Sequence, residues 1–146
     1  VEIFRRVGAQ EHCVQFYDDY LEGPLAYIVM EKCEMGLLQA VERMPELREY
    51  TVAHLVGQML AGIENVHRLL VVHRDVKPDN FLCVGPSCTV KLCDFGLADI
   101  LPSTKPVELR GVFGTAPFMS PEMLAGGGYD AGTDIWSLGV IAYVLL

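Results

Sequence analysis

Basic residues are scarce in this chain. Eleven Lys and Arg stand against 19 Asp and Glu, a formal charge of −8 over 146 residues. Nucleic acids and anionic membranes reward clustered Lys and Arg, so neither is an expected main partner. Long apolar runs are also lacking. The run at residues 138–146 falls short of the roughly 20 residues that a bilayer span needs. No CxxC pair occurs among the five cysteines, Cys13, Cys33, Cys83, Cys88 and Cys93, and their number is odd. That pattern argues against a disulfide framework and against a zinc site. It predicts free, mostly buried thiols in a reducing, cytoplasmic compartment. No signal peptide opens the sequence. Residue 1 is Val, and residues 141–146 are apolar with no polar stop behind them. Natural domain ends are usually polar and exposed, so both ends are expected to be cut from a longer domain.

About half of the residues are apolar, enough to bury a core. Ile3, Phe4 and Val7 sit at helical spacing before Gly8, the end of a short helix. Residues 13–17 alternate like a strand, residues 18–24 form a polar Gly-Pro turn, and residues 25–31 make a second strand able to pair with the first. From Leu37 a short helix runs until Pro45 and Glu46 break it. Val52, Leu55, Val56, Met59, Leu60, Ile63, Val66 and Leu70 then recur at three and four, one long amphipathic helix. Residues 81–84 and 89–93 are short strands around a Gly85-Pro86-Ser87 turn. Residues 97–117 are irregular, and residues 130–146 read as an apolar helix around Trp136. Strands, then helices, with a strand hairpin embedded, make the fold class α+β.

Three polar groups fall in sharp, non-helical settings. Asp75 and Asn80 belong to the cluster His73-Arg-Asp-Val-Lys-Pro-Asp-Asn80, and Asp94 follows a strand and precedes Phe95-Gly96. A carboxylate and an amide oxygen suit Mg²⁺, a hard cation that takes few protein ligands beside phosphates and water. A second carboxylate suits proton acceptance from a hydroxyl nucleophile, and Lys77 suits a phosphate oxygen. Singly, each has a plainer reading: Asp and Asn form turns everywhere, and Lys77 is an ordinary solvated side chain. Together, in this order, they suit phosphoryl transfer, in which positioning and electrostatics carry most of the catalysis.

The combination resembles the eukaryotic protein-kinase family. The cluster 73–80 is similar to its catalytic loop, with Lys77-Pro78 in the serine/threonine flavour. Asp94-Phe-Gly96 is similar to its metal-binding motif. Gly114-Thr-Ala-Pro-Phe-Met-Ser-Pro-Glu122 resembles the end of its activation segment, Asp134-Ile-Trp-Ser-Leu-Gly139 its central helix, and Tyr27-Ile-Val-Met-Glu31 the strand before its hinge. The resemblance implies about residues 1–32 as the remainder of the small lobe and hinge, and about 33–146 as part of the large lobe. By position, Asp75 orients and deprotonates the substrate hydroxyl, Lys77 contacts the γ-phosphate of ATP, and Asn80 and Asp94 hold Mg²⁺. Met30 is the gatekeeper, Glu31 and Cys33 offer backbone groups to adenine, and Leu82 lies under the ring. Thr115 helps place the catalytic loop and a substrate Ser or Thr. Asp134 holds the backbone of the His73-Arg74 turn, and Phe4, Phe16, His73 and Phe95 stack as an apolar column. Asn80-Phe-Leu82 and residues 134–146 resemble the calcium/calmodulin-dependent and calcium-dependent kinases most. A calcium-sensing regulatory segment would then lie outside this chain.

The sequence also departs from that pattern. It has no GxGxxG phosphate loop and no Val-Ala-x-Lys strand. Glu122 is expected to be a partly buried charge whose Arg partner lies beyond residue 146. Gly111 stands four before Thr115, where many relatives carry a phosphorylatable Thr. Arg74 is therefore expected to rely on Glu108, or on phosphorylated Ser103 or Thr104, and activity not to depend on phosphate at the usual position. Two readings stay open: a Ser/Thr kinase acting on protein substrates, inactive as this piece alone, and a truncated or pseudokinase-like binding protein. A metal-dependent hydrolase or a small-molecule kinase would need a different context around Asp94.

Overall fold

The computed structural model describes residues 1–102 and 108–146. The expectations for Ser103, Thr104 and Pro106 lie outside the described residues. Helix α1 (Glu2–Val7) closes on Gly8, whose φ of 59° suits a residue without Cβ and whose N–H bonds the Phe4 carbonyl at 2.9 Å. Strands β1 (Phe16–Glu22) and β2 (Leu25–Met30) form an antiparallel hairpin, with Tyr17 as the irregularity between Phe16 and Asp18.

The first strand thus begins later than the alternation at 13–17 predicts. Cys13 and Val14 are buried for another reason. His12 and Val14 exchange backbone bonds with Leu92, and the Cys13 thiol lies 3.7 Å from the Gly62 carbonyl. A Cβ on Gly62 would come within 2.6 Å of the His12 carbonyl oxygen, so the glycine admits this close crossing. The polar residues 18–22 are strand rather than turn. Both faces of the hairpin are largely open to solvent, so polarity does not disqualify them, and only Gly23-Pro24 turns the chain.

Strand β3 (Met35–Gly36) leads into α2 (Leu37–Glu42), and the long helix α3 (Glu49–Arg68) follows. Its apolar stripe, Val52, Leu55, Met59, Ile63 and Val66, is buried to within a few per cent. Strand β4 (Val71–Val72) precedes the polar cluster; β5 (Phe81–Val84) and β6 (Thr89–Leu92) form a hairpin that β3 extends to three strands. Strand β7 (Asp99–Ile100) pairs antiparallel with β4, an ordered element inside the stretch read as irregular. The pair brings the chain after Asp94 back beside the chain before His73. Helices α4 (Pro121–Leu124) and α5 (Gly132–Leu145) complete the α+β fold.

The expectation of free thiols is corrected at one place. Cys83 and Cys88 are joined by a disulfide, the β5–β6 turn bringing their Cα atoms to 4.8 Å, while Cys13, Cys33 and Cys93 are free. Spacing rules built on CxxC do not see a pair that a hairpin turn brings together. Glu122 is exposed, not partly buried, so it carries no buried-charge penalty. On α5, Thr133, Ser137, Leu138 and Ile141 face inward while Trp136 is 49% exposed and Tyr143 83%. The apolar helix is therefore buried along one side only. Among the described residues no helix is long and apolar enough to cross a membrane.

Candidate active site

The chain from His73 to Asn80 is fixed by atoms distant in sequence. Asp134, 1% exposed at the start of α5, accepts hydrogen bonds from the backbone N–H groups of His73 at 2.8 Å and Arg74 at 2.9 Å. His67 Nε2 lies 2.8 Å from the same carboxylate. His73 donates from Nε2 to the Cys93 carbonyl at 2.9 Å, while its Nδ1 accepts the Asp75 N–H at 3.3 Å, which defines one neutral tautomer. Arg74 and Asp94 both have left-handed backbones, φ 65° and 59°. Such conformations cost on the order of 1 kcal/mol each without glycine and persist where neighbours over-determine them.

These constraints present Asp75. Its Oδ1 accepts the Thr115 hydroxyl at 2.7 Å; its Oδ2 lies 2.8 Å from Lys77 Nζ and 3.2 Å from the Asn80 amide nitrogen. Lys77 also donates to Thr115 Oγ at 3.0 Å, and Asn80 to the Asp75 carbonyl at 2.8 Å. Burial works against ionisation of Asp75, but hydrogen bonds from Lys77 and Thr115, the Lys77 charge and the Asn80 amide outweigh it. The carboxyl is held below its ordinary range. Lys77 is pushed up, chiefly by its bond to Asp75, with further charge from Asp79 and Asp94. Gly114 makes the approach of Thr115 possible. It has φ 106°, and a Cβ there would overlap the Arg74 carbonyl oxygen.

Asn80 and Asp94 flank one end of the β5–β6 hairpin. Phe81 is opposite Leu92 in register, and the Cys93 N–H bonds the Asn80 carbonyl at 2.9 Å. With its amide nitrogen committed to Asp75, Asn80 keeps its amide oxygen for another ligand. Asp94 uses Oδ1 to accept the Gly96 N–H at 3.1 Å. One carboxylate and one amide oxygen fit Mg²⁺, with phosphate and water oxygens left to complete its shell. Burial, the Asp94 charge and then Cys33 push the Cys93 thiol up to about 12.

The residues assigned to adenine sit at the β2 end. Glu31 is tied down by Lys91, whose Nζ is 2.6 Å from both carboxylate oxygens, and its N–H bonds the Gln15 carbonyl at 2.8 Å. Lys91 faces Leu82 across the β5–β6 register, so Leu82 and the 31–33 segment share one neighbourhood. Among the described residues no hydrogen bond engages the backbone of Cys33, which leaves it free for a ligand. Met30 ends β2 opposite Phe16 and is 37% exposed. The aromatic column forms as read: Phe4–Phe16 at 6.4 Å, Phe4–Phe95 at 5.7 Å and His73–Phe95 at 5.1 Å between ring centroids.

Glu108 is not the partner of Arg74. The guanidinium pairs with Asp99 at 3.1 Å, donates to the Leu97 carbonyl at 2.7 Å and lies 4.4 Å from the centre of the Phe113 ring. Glu108 instead faces Arg110 at 3.8 Å on the surface. Asp99, Lys91 and His67 are site neighbours that sequence reasoning missed. No spacing signal marks them, because each acts across 25 or more residues: Asp99–Arg74, Lys91–Glu31 and His67–Asp134.

The protein kinase domain family matches residues 1–146. The chain is 37% identical over 147 residues to a calcium and calcium/calmodulin-dependent serine/threonine-protein kinase of Pisum sativum, covering 99% of this chain and 28% of that protein. It is 38% identical over 151 residues to CDPK-related kinase 7 of Arabidopsis thaliana, covering 100% and 26%. To ribosomal protein S6 kinase 2 alpha of Xenopus laevis it is 37% identical over 150 residues, covering 100% and 20%. The chain thus spans between a fifth and a third of the length of these relatives. From its first residue to its last, the chain belongs to the protein kinase domain family.

Proposed function

We propose that this chain supplies the catalytic centre for transfer of the γ-phosphate of ATP to Ser or Thr hydroxyls of protein substrates, as part of a longer protein. The observation that carries the proposal is the Asp75 carboxylate, held at once by Thr115, Lys77 and Asn80 from both sides of the site. In this reading Asp75 orients the acceptor hydroxyl. The new bond joins that oxygen to the γ-phosphorus, the bond to the bridging oxygen of ADP breaks, and the proton passes to Asp75. A carboxyl held below its ordinary range is a weak base, so proton transfer comes late and orientation is its larger contribution.

Lys77 meets a γ-phosphate oxygen, and Thr115 aligns the acceptor with Asp75. Asn80 and Asp94 would hold Mg²⁺, which neutralises developing phosphate charge when bound. Adenine takes the backbone of Glu31 and Cys33, with Met30 behind it and Leu82 beneath. Residues 1–32 are then the small-lobe and hinge part, and residues 33–146 the large-lobe part. ATP as co-substrate implies an intracellular, cytoplasmic setting. The three free thiols fit it, and the Cys83–Cys88 bridge does not follow from it. By analogy with the Pisum sativum kinase, a calcium-sensing segment outside this chain is a proposed regulator.

The test is transfer of labelled phosphate from Mg²⁺-ATP to a generic Ser/Thr protein by the full-length protein, beside Asp75→Asn. We expect transfer with the native residue and a loss of about 10²–10⁴-fold in the variant. Transfer that survives Asp75→Asn removes the role given to Asp75. No transfer at all by the native protein supports the non-catalytic, kinase-like binding protein.

A further inference from the structure

Arg74 lies between His73 and Asp75, so whatever holds its side chain also bears on the carboxylate beside it. The Arg74 side chain is only 10% exposed, and its partners come from three separate stretches. Asp99 in β7 supplies a carboxylate at 3.1 Å and Leu97 a carbonyl at 2.7 Å. Phe113 lays its ring at 4.4 Å, and the Tyr129 hydroxyl stands at 3.5 Å. The guanidinium therefore ties both ends of the 97–113 stretch to the catalytic loop.

Gly111 has a visible part in this arrangement. Its φ is 95°, and a Cβ there would meet the Phe113 ring at 2.6 Å. The glycine gives the ring room to lie over Arg74. At this position a side chain able to carry a phosphate would collide with the group now in contact with the guanidinium. Asp99 is itself fixed, because Val72 and Asp99 are register partners in the β4–β7 ladder one residue before His73.

We propose that Asp99 is a positioning residue, the built-in counter-charge that orders the stretches Leu97–Leu101 and Leu109–Phe113 and holds Asp75 in its working position. No phosphate is then needed to neutralise Arg74. The inference rests on the kinase reading above and names how the same site is kept assembled.

The experiment compares native, Asp99→Asn and Asp99→Glu forms of the full-length protein. It measures kcat and the KM for ATP, with and without phosphatase treatment, and amide hydrogen exchange at Leu97–Leu101 and Leu109–Phe113. Asp99→Asn should lower kcat about tenfold with little change in KM for ATP, a loss of transition-state positioning rather than of nucleotide binding. Asp99→Glu should restore most of kcat, and exchange in the two stretches should rise in the Asn form only. Phosphatase should leave the native rate unchanged. Full kcat in Asp99→Asn with unchanged exchange overturns the proposal, and so does a native rate abolished by phosphatase. If Asp99→Asn does not fold, an active and phosphatase-insensitive Asp99→Glu upholds it and an inactive one overturns it. A native protein that transfers no phosphate breaks the kinase reading instead, and the exchange data alone then decide the role of Asp99.

Discussion

In the catalytic loop, His73, Asp75, Val76, Pro78 and Asn80 are all buried; in the β1–β2 hairpin only Phe16, Asp19 and Ile28 are even half-buried. The loop has almost no regular structure, and Asp134 of α5, Thr115 and the Cys93 and Leu97 carbonyls hold it. The hairpin has ladder pairing interrupted at Tyr17 and few other ties: an Arg5–Asp19 ion pair at 2.7 Å, a Tyr20–Tyr27 stack at 4.8 Å and Phe16 against Phe4. Regular secondary structure and rigidity thus part company in this molecule. An irregular loop is the better fixed of the two, because its constraints are buried hydrogen bonds at long range. The hairpin depends on bonds that water can replace.

Asp134→Ala should show the largest contrast. It removes the acceptor of two backbone N–H groups, one buried and one part-buried, each worth about 1–3 kcal/mol when left unsatisfied. The total, roughly 2–6 kcal/mol, is a large part of ordinary domain stability. A urea midpoint that moves little would mean that the loop is held by something other than Asp134.

The Asp75–Lys77 pair should contribute on the order of 1 kcal/mol, with a definite pH signature. The folded pKa of Asp75 is lowered, so its contribution is present above the unfolded value and lost as pH falls through the folded one. The folded pKa of Lys77 is raised, so its contribution is present below the unfolded value and lost as pH rises through the folded one. The stability difference between native protein and Asp75→Asn should therefore be flat from about pH 5 to 9. It should shrink below about pH 4 and above about pH 10.4. Thermal melts across that range check it, and a difference that falls away between pH 6 and 8 breaks the assignment.

Tyr20→Ala should matter least. An exposed cross-strand aromatic pair is worth about 0.2–1 kcal/mol. The denaturation midpoint should shift slightly and kcat not at all. A large loss of kcat would show that the hairpin and the loop are coupled after all.

The more regular a feature, the better the sequence discloses it. The three-and-four recurrence from Val52 to Val66 marks α3, because a helix buries one stripe. Gly85-Pro86 marks the β5–β6 turn, and the order of Asp75, Asn80 and Asp94 points to the candidate site, where the structure brings Asp75 and Asn80 into contact. Arg74 shows the limit. Its partners stand 23 to 55 residues away and are ordinary residue types, so nothing local singles out Asp99 or Tyr129. Residues 18–22 mislead for another reason: a strand open to solvent on both faces has no apolar alternation to show. Cys83 and Cys88 join because a turn returns the chain upon itself, and a count of thiols holds no such geometry.

Trp136 is the sole tryptophan, half exposed on the outer side of α5, on the helix that carries Asp134. Within these 146 residues, tryptophan fluorescence therefore has a single source with a known address. Its emission maximum and its accessibility to a soluble quencher gauge whether the outer face of α5 is wet or covered, with no label attached. Because Asp134 begins the same helix, the same light also reports when that helix lets go of the catalytic loop.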